Sequence, residues 1–362
     1  VFLISALLYW YPGIINKIDL QWEEWSPFSA DKMKASGTPG FNTQEYGEKV
    51  STAILIFPDI VLSGQPKKLP KITKIKKKKI IMSNKVTFQN YGAQQNWVNG
   101  GFHSSTSKKT ISVISPYFDK EIATIPESNF SDLDYAVQKA KAAFPAWASL
   151  NVRDRAEIMF NLKSIMEKNL EEMAELIALD NGKTIADAKG SILRGKEVVE
   201  FATSLPSMLR GDSSPVGSGI TCTMTQEPLG VVAGITPFNF PAMVPLWMIP
   251  LAITVGNCFI LKPSEQTPLS TFKIAEYLKE AGLPDGVFNI VNGAREVVEG
   301  ICDHPDIKAV AFVGSSQVAK IVYSRSTANG KRALCFGGAK NHMIVVPDAD
   351  QDSTAKGLLA SS

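Results

Sequence analysis

The sequence predicts an α/β protein: an open parallel sheet with helices on both faces, preceded by hairpins and helices. Three observations lead there. Six short runs after Leu229 (GVVAGI, CFILK, VFNIV, KAVAFVG, ALCF and MIVV) are rich in β-branched residues and almost wholly apolar, the character of strands buried on both faces. Helical spacing recurs between them, over Met243–Val255, Leu269–Ala281, Glu296–Cys302 and Gln317–Ser326. The resulting β-α-β-α-β-α-β order calls for parallel pairing through right-handed crossovers.

Composition narrows the partners. The 362 residues are 44% apolar and 20% charged, as in globular proteins with room for two domains. The net charge of +3 rests on the run from Lys67 to Lys79, without which the chain is mildly acidic. No nucleic-acid partner is expected for the folded part. Four widely spaced cysteines without a CxxC pair suit reduced thiols in a reducing compartment. His103, His304 and His342 share no ligand spacing, so no metal site is expected.

Before the sheet, each element has its own signal. The opening VFLISALLYWYPGII is too short to span a bilayer comfortably and has no basic flank or small-residue cleavage site, so no membrane association is expected. Met82 reads as a natural start. Residues 1–81 then form a disordered or non-native extension, with a targeting segment or basic tether as the alternative. The folded chain divides at 82–334 and 335–362. NWVNGGF reads as a hairpin turning at Asn99-Gly100-Gly101, and KTISVISPY with KEIATIP as a second. Ser131 with Asp134 predicts a helix start. Apolar residues spaced three and four apart from Ile158 to Ile177 predict one long helix, stopping at Asn181-Gly182. TIADAKGSILRGKEVVEFATSL predicts another.

Ligands of parallel sheets bind beyond the carboxyl ends of strands, which selects three loops. In TPFNFP, Asn239 carries a short amide donor between two Phe and two Pro. Such a fixed amide in a dry site can serve as an oxyanion hole, or it can satisfy the backbone of its own loop. In KPSEQ, Lys262 and Glu265 can both reach a ribose. The carboxylate would accept from vicinal hydroxyls and disfavour a 2′-phosphate, favouring NAD over NADP; a surface ion pair is the plain alternative. Gly314 and Ser315 open a helix, where pyrophosphate can bind, or where Ser315 is a simple cap. No GxGxxG occurs, which argues against the common dinucleotide-binding dehydrogenases.

The motifs TPFNFP, LKPSEQTP, GLPDGVFNIVNG, AVAFVGSS and GGAKNH, in this order from about Asn96 to the C-terminus, resemble the aldehyde dehydrogenase superfamily. DNGKTIADAKGSILRGKEVVEFA, FNFPAMVPLWMIPLAITVGNCFILKPSE and GGAKNHMIVVPDAD look most like its CoA-acylating branch, the methylmalonate-semialdehyde dehydrogenases. The resemblance implies a Rossmann-like NAD-binding domain and a cysteine thiolate that attacks a semialdehyde. Hydride passes to NAD, and coenzyme A takes the acyl group from the thioester. It assigns the oxyanion amide to Asn239, the adenosine ribose to Lys262 and Glu265, and the cofactor lining to Thr236, Phe238, Gln266, Gly314 and Ser315. Arg194 matches an arginine that pairs with the substrate carboxylate.

Two departures matter. Hydrolytic relatives carry a general-base Glu just before the Gly-Gly, where this chain has Cys335-Phe336-Gly337-Gly338. Without that base a thioester survives for a thiol to take. The family nucleophile lies beyond the Gly-Gly in a GQRC-like stretch that this chain, ending at Ser362, does not reach. Cys335 is expected to be a structural thiol, and Cys222, Cys258 and Cys302 to be core. The full-length protein is expected to be a cytoplasmic homo-oligomer, with the mitochondrial matrix as the alternative compartment and valine or inositol breakdown as the pathway options. A non-catalytic NAD-binding fragment and a hydrolytic aldehyde dehydrogenase remain the competing readings.

Overall fold

A computed structural model describes residues 52–53, 86–339 and 341–361. The proposed start at Met82, the lysine-rich run and, apart from Thr52–Ala53, the extension over 1–81 lie outside the described residues. Two compact units are formed, one holding residues 86–339 and the other 52–53 with 341–361.

In the larger unit, the hairpin strands β2 (Asn96–Val98) and β3 (Gly101–His103) turn through Asn99 and Gly100, both at positive φ. A second hairpin, β4 (Thr110–Ser115) and β5 (Lys120–Pro126), forms its own two-stranded sheet. Helix α1 (Phe130–Ser149) is capped by Asn129, two residues before the expected Ser131. Asn129 accepts from the Asp132 N–H and Asp132 accepts from the Asn129 N–H, both at 3.1 Å, a reciprocal box. Asp134 instead bonds His304 Nε2 at 3.0 Å.

The expected long helix is two helices, α2 (Val152–Lys168) and α3 (Leu170–Asn181). Asn169 breaks it by turning its side-chain amide back onto the Ile165 carbonyl, at 2.9 Å, a local bond that competes with the helical ladder. Gly182, at φ +81°, ends α3 by donating to the Ala178 carbonyl. Helix α4 (Ile185–Ala202) follows, and after the short α5 (Leu205–Met208) an exposed hairpin, β6 (Asp212–Gly217) and β7 (Ile220–Met224).

The alternation after Leu229 folds as expected: β8 (Val231–Ile235), α6 (Met243–Thr254), β9 (Cys258–Lys262), α7 (Leu269–Glu280), β10 (Phe288–Ile290), α8 (Arg295–Asp303), β11 (Ile307–Val313), α9 (Ser316–Ala328) and β12 (Arg332–Phe336). The sheet order is β12-β11-β8-β9-β10-β2-β3, parallel from β12 to β10. The sheet is mixed, because the β2/β3 hairpin extends it antiparallel to β10.

Every residue of β8 and β9 is buried. Successive strands move one way from β8 to β10 and the other way from β11 to β12. Right-handed crossovers therefore place α6 and α7 on one face and α8 and α9 on the other. Helix α1 packs beside α8 across β8, β9 and β10, while α2, α3 and α4 back α6 and α7. Buried Arg155 donates to the Thr254 carbonyl at 2.8 Å and to the Ala148 and Leu150 carbonyls, tying together the C-terminal ends of α1 and α6.

The smaller unit pairs β1 (Thr52–Ala53) with β13 (Asn341–His342) and carries α10 (Gln351–Ser361). The expected MIVV strand is absent: residues 343–346 belong to no strand, and Ile344 is 77% exposed. An apolar run becomes a buried strand only where neighbours cover it, and among the described residues none does. No helix among the described residues is long and apolar enough to cross a membrane.

Candidate active site

Register brings the three selected loops together. Lys262 lies beside Ile235, Ile235 beside Phe312, and Phe312 beside Cys335, one row across four strands. Each loop leaves its strand at or just beyond this row. This is the carboxyl edge, where the strand order reverses between β8 and β11, the position where parallel sheets receive nucleotides.

The loop after β8 is tied down by its main chain. The Thr236 N–H, in a buried residue, donates to the Lys262 carbonyl at 3.2 Å. The Phe238 carbonyl accepts from Asn181 Nδ2 at 2.9 Å and from Thr267 Oγ1 at 3.2 Å. The Asn239 carbonyl accepts from Lys183 Nζ at 2.5 Å, and that ammonium lies 4.2 Å from the centre of the Phe240 ring. Burial lowers the pKa of Lys183, partly countered by Asp187. Among the described residues the Asn239 side chain has no hydrogen-bond partner. Its amide does not satisfy its own loop; other elements do that, and the amide is left available. The expected dry setting is not met within this unit. Asn239 is exposed and Phe238 is 50% exposed, because the loop stands at the unit's surface.

After β9, Lys262 Nζ and Glu265 Oε2 are 2.7 Å apart, the lysine side chain 6% exposed and the glutamate 40%. Burial pushes the Glu265 carboxyl up, but the Lys262 charge and hydrogen bond outweigh it and hold it below its ordinary value. The pair is a nearly buried cation fixing a carboxylate that still faces solvent. Asp180, wholly buried at the end of α3, accepts the Leu269 N–H at 3.0 Å through Oδ2. It caps α7 in place of Pro268, which has no side-chain acceptor. Among the described residues its Oδ1 has no partner, and burial drives its pKa well above the ordinary value despite the backbone bonds at Leu269 and Ser270.

After β11, Ser315 caps α9 by accepting the Val318 N–H at 3.4 Å, so the plain capping role is real. Residues 315–318 are exposed, leaving the positive end of the helix open. The Gly-Gly after β12 lies against it. A Cβ on Gly337 would sit 2.9 Å from Ser316 Cα, and the Gly338 N–H donates to Ser316 Oγ at 3.0 Å.

A cleft of about 570 Å³ collects Phe238, Asn239, Glu265 and Gln266 with Asp180, Asn181, Lys183 and Thr267. Thr236, Lys262, Gly314 and Ser315 lie along the strand-end row but do not line this cleft. Asn181 and Lys183 were missed in the sequence because Asn-Gly-Lys carries the pattern of a helix stop; their contact with residues 238 and 239 is tertiary. Arg194 is not among the lining residues. It is exposed on α4 and makes no ion pair with the described residues. The next residue, Gly195, brings α4 against the start of α6: a Cβ there would lie 2.7 Å from Leu246 Cδ1 and 3.4 Å from Met243 Cα.

Cys258, Cys302 and Cys335 lack the setting of an activated thiolate, which needs nearby positive charge together with partial exposure. Burial pushes Cys335 up to about 11, with Cys302 adding to the rise. Burial pushes Cys258 up to about 12 and also raises Cys302. Cys222 was expected in the core but is exposed, because β6 and β7 form a hairpin that the rest of the unit does not cover.

Comparison with known proteins gives consistent matches. The aldehyde dehydrogenase family matches residues 102–362. Malonate-semialdehyde dehydrogenase 2 of Bacillus mycoides (strain KBAB4) is 48% identical over 275 residues, 76% of this chain and 57% of the relative. Malonate-semialdehyde dehydrogenase 1 of Geobacillus kaustophilus (strain HTA426) is 49% identical over 269 residues, 74% of this chain and 55% of the relative. Among solved structures, the methylmalonate-semialdehyde dehydrogenase of Oceanimonas doudoroffii aligns with a TM-score of 0.72 at 44% identity, covering 74% of this chain and 55% of that one. A Sinorhizobium meliloti 1021 protein assigned to the same activity and complexed with NAD aligns with a TM-score of 0.73 at 43% identity, covering 76% and 56%. The chain thus spans little more than half the length of these relatives. Strand order, the three strand-end loops and the family match agree: the chain belongs to the aldehyde dehydrogenase family.

Proposed function

We propose that this chain carries the NAD-binding and oxyanion-binding part of a dehydrogenase for malonate or methylmalonate semialdehyde. In this proposal the full-length protein passes the acyl group to coenzyme A, and the cysteine nucleophile is supplied by sequence outside these 362 residues. The observation that carries the reading is the row joining Lys262, Ile235 and Phe312, which brings the Glu265 carboxylate, the Asn239 loop and the tip of α9 to one edge.

Those residues suit NAD. Glu265, kept ionised by Lys262, can accept from both ribose hydroxyls, and the same charge repels a 2′-phosphate. The open N-terminus of α9 at Ser315 suits the pyrophosphate, with Gly314 allowing close approach and Thr236, Phe238 and Gln266 flanking the path. NAD, when bound, takes the hydride. Before that transfer, the Asn239 amide can donate an N–H to the oxygen that gains negative charge as the nucleophile adds and the aldehyde carbon becomes tetrahedral, a contribution of about 3–4 kcal/mol where such donors have been removed. Arg194 is assigned to the carboxylate of the semialdehyde, an interaction a fork-shaped guanidinium suits.

Coenzyme A as acyl acceptor is supported by the two positions before Gly337-Gly338. They hold Cys335, a thiol that burial pushes up to about 11, and Phe336, and neither is a carboxylate base. The relatives are bacterial, which favours the cytoplasm over the matrix, and the full-length enzyme is proposed to be a homo-oligomer. The test is NAD reduction by the full-length protein with methylmalonate semialdehyde. Turnover that requires coenzyme A supports the reading. Undiminished turnover without it points to a hydrolytic enzyme, and NAD binding without any turnover points to a non-catalytic binding protein. Arg194→Ala tests the substrate: losses confined to carboxylated aldehydes support its role, and equal loss on propanal removes it.

A further inference from the structure

We propose that Lys183 is the positioning residue of the Asn239 amide, an inference that deepens the proposed function and rests on it. The side chain of Lys183 starts from a fixed point. Gly182, at φ +81°, closes α3 just before it, and Thr184 caps α4 just after it by accepting the Asp187 N–H at 3.1 Å. From there the ammonium crosses to the loop after β8 and donates to the Asn239 carbonyl at 2.5 Å, over the Phe240 ring at 4.2 Å. Among the described residues Lys183 makes no ion pair with a carboxylate. Its one charge-assisted bond goes to the residue whose side chain is left free, and such bonds are about twice as strong as neutral ones. Asn181 and Thr267 hold the preceding carbonyl, of Phe238. Clamping two successive carbonyls fixes the Asn239 backbone, so its short side chain has few orientations left. An oxyanion donor works because its direction is set before the reaction. Lys183 thus acts through Asn239 and not on the substrate.

A double-mutant cycle in the full-length protein separates this role from ordinary structural support. Asn239→Ala is expected to lower kcat by about 10²-fold, and Lys183→Met by about 10- to 10²-fold, the range for a misaligned catalytic group. The double variant should be no slower than Asn239→Ala alone, since both changes act through one amide. Lys183→Arg, which restores a charged donor, should recover most of the rate. Losses that multiply in the double variant, or full activity in Lys183→Met, overturn the proposal. If Asn239→Ala keeps wild-type kcat, the oxyanion reading fails. Amide exchange of residues 238–240 then still decides Lys183: faster exchange in Lys183→Met upholds its hold on the loop, and unchanged exchange overturns it. Lys183→Arg serves as the folded comparison should Lys183→Met not fold.

Discussion

The Lys262 ammonium lies 2.7 Å from the Glu265 carboxylate, with the lysine almost wholly buried and the glutamate half open. The cation stands at the end of a central strand beside Ile235, so it can scarcely move, and it fixes the glutamate beside it. An exposed pair would do little for stability. Here the consequence is orientation: a carboxylate kept charged and held at the edge where the cofactor is proposed to bind.

Glu265→Ala should therefore weaken NAD binding by about tenfold or more, the scale of a lost hydrogen bond to a charged group, with a smaller effect on the unfolding midpoint. The preference against NADP should shrink in the same variant, because the repelling charge is gone. Calorimetric titration with both nucleotides checks this; unchanged NAD affinity contradicts the ribose assignment.

A pH dependence follows from the same pair. The folded-state pKa of Glu265 is depressed by Lys262, after burial has worked the other way. Its stabilisation is present above the ordinary carboxylate value and is lost as pH falls through the lower folded value. Wild-type NAD affinity should stay flat on going from neutral to mildly acid pH. In Lys262→Met burial is unopposed, and affinity should already decline in that range. Parallel profiles for the two proteins contradict the coupling.

Asp180 titrates with the opposite sign. Burial raises its folded-state pKa, so the folded state holds its proton when the unfolded chain has released it. Stability is greatest below the ordinary Asp value and falls as pH rises towards the raised one. The stability of Asp180→Asn relative to wild type should grow from pH 4 to pH 8, read from urea midpoints. Asp180→Ala should cost about 1–3 kcal/mol, because the Leu269 N–H loses its acceptor. A wild type and Asp180→Asn that keep a constant gap across this range contradict the assignment.

The thiols should differ sharply in reactivity. Alkylation by iodoacetamide at neutral pH, followed by peptide mass spectrometry, should modify exposed Cys222 first. Cys335, pushed up to about 11, should lag, with Cys258 and Cys302 modified only on unfolding. Rapid labelling of Cys335 would make it a candidate nucleophile after all.

These residues also show what a sequence can reveal. GVVAGI and, up to its closing lysine, CFILK are apolar because both faces of a central strand are covered, so the strands and the loops at their ends were legible. Lys262 and Glu265 stood out because charge at the end of such a strand and in the loop after it is not what a folding core asks for. Asn169 did not stand out: the apolar spacing runs unbroken through it, and only its bond to Ile165 ends the helix. MIVV looked like its neighbours, yet burial depends on what lies beside a strand. Lys183 was hidden for a similar reason, since its pattern describes the helix it follows and its partner is 56 positions away.

The central claim is that a dinucleotide lies across the aligned strand ends, from the Lys262–Glu265 turn to the tip of α9 at Ser315. Hydrogen–deuterium exchange with and without NAD tests it most directly. The account predicts slowed exchange in residues 236–241, 262–266 and 314–318, with little change in the β6–β7 hairpin. Protection confined to other segments, or no protection at saturating NAD, would contradict it.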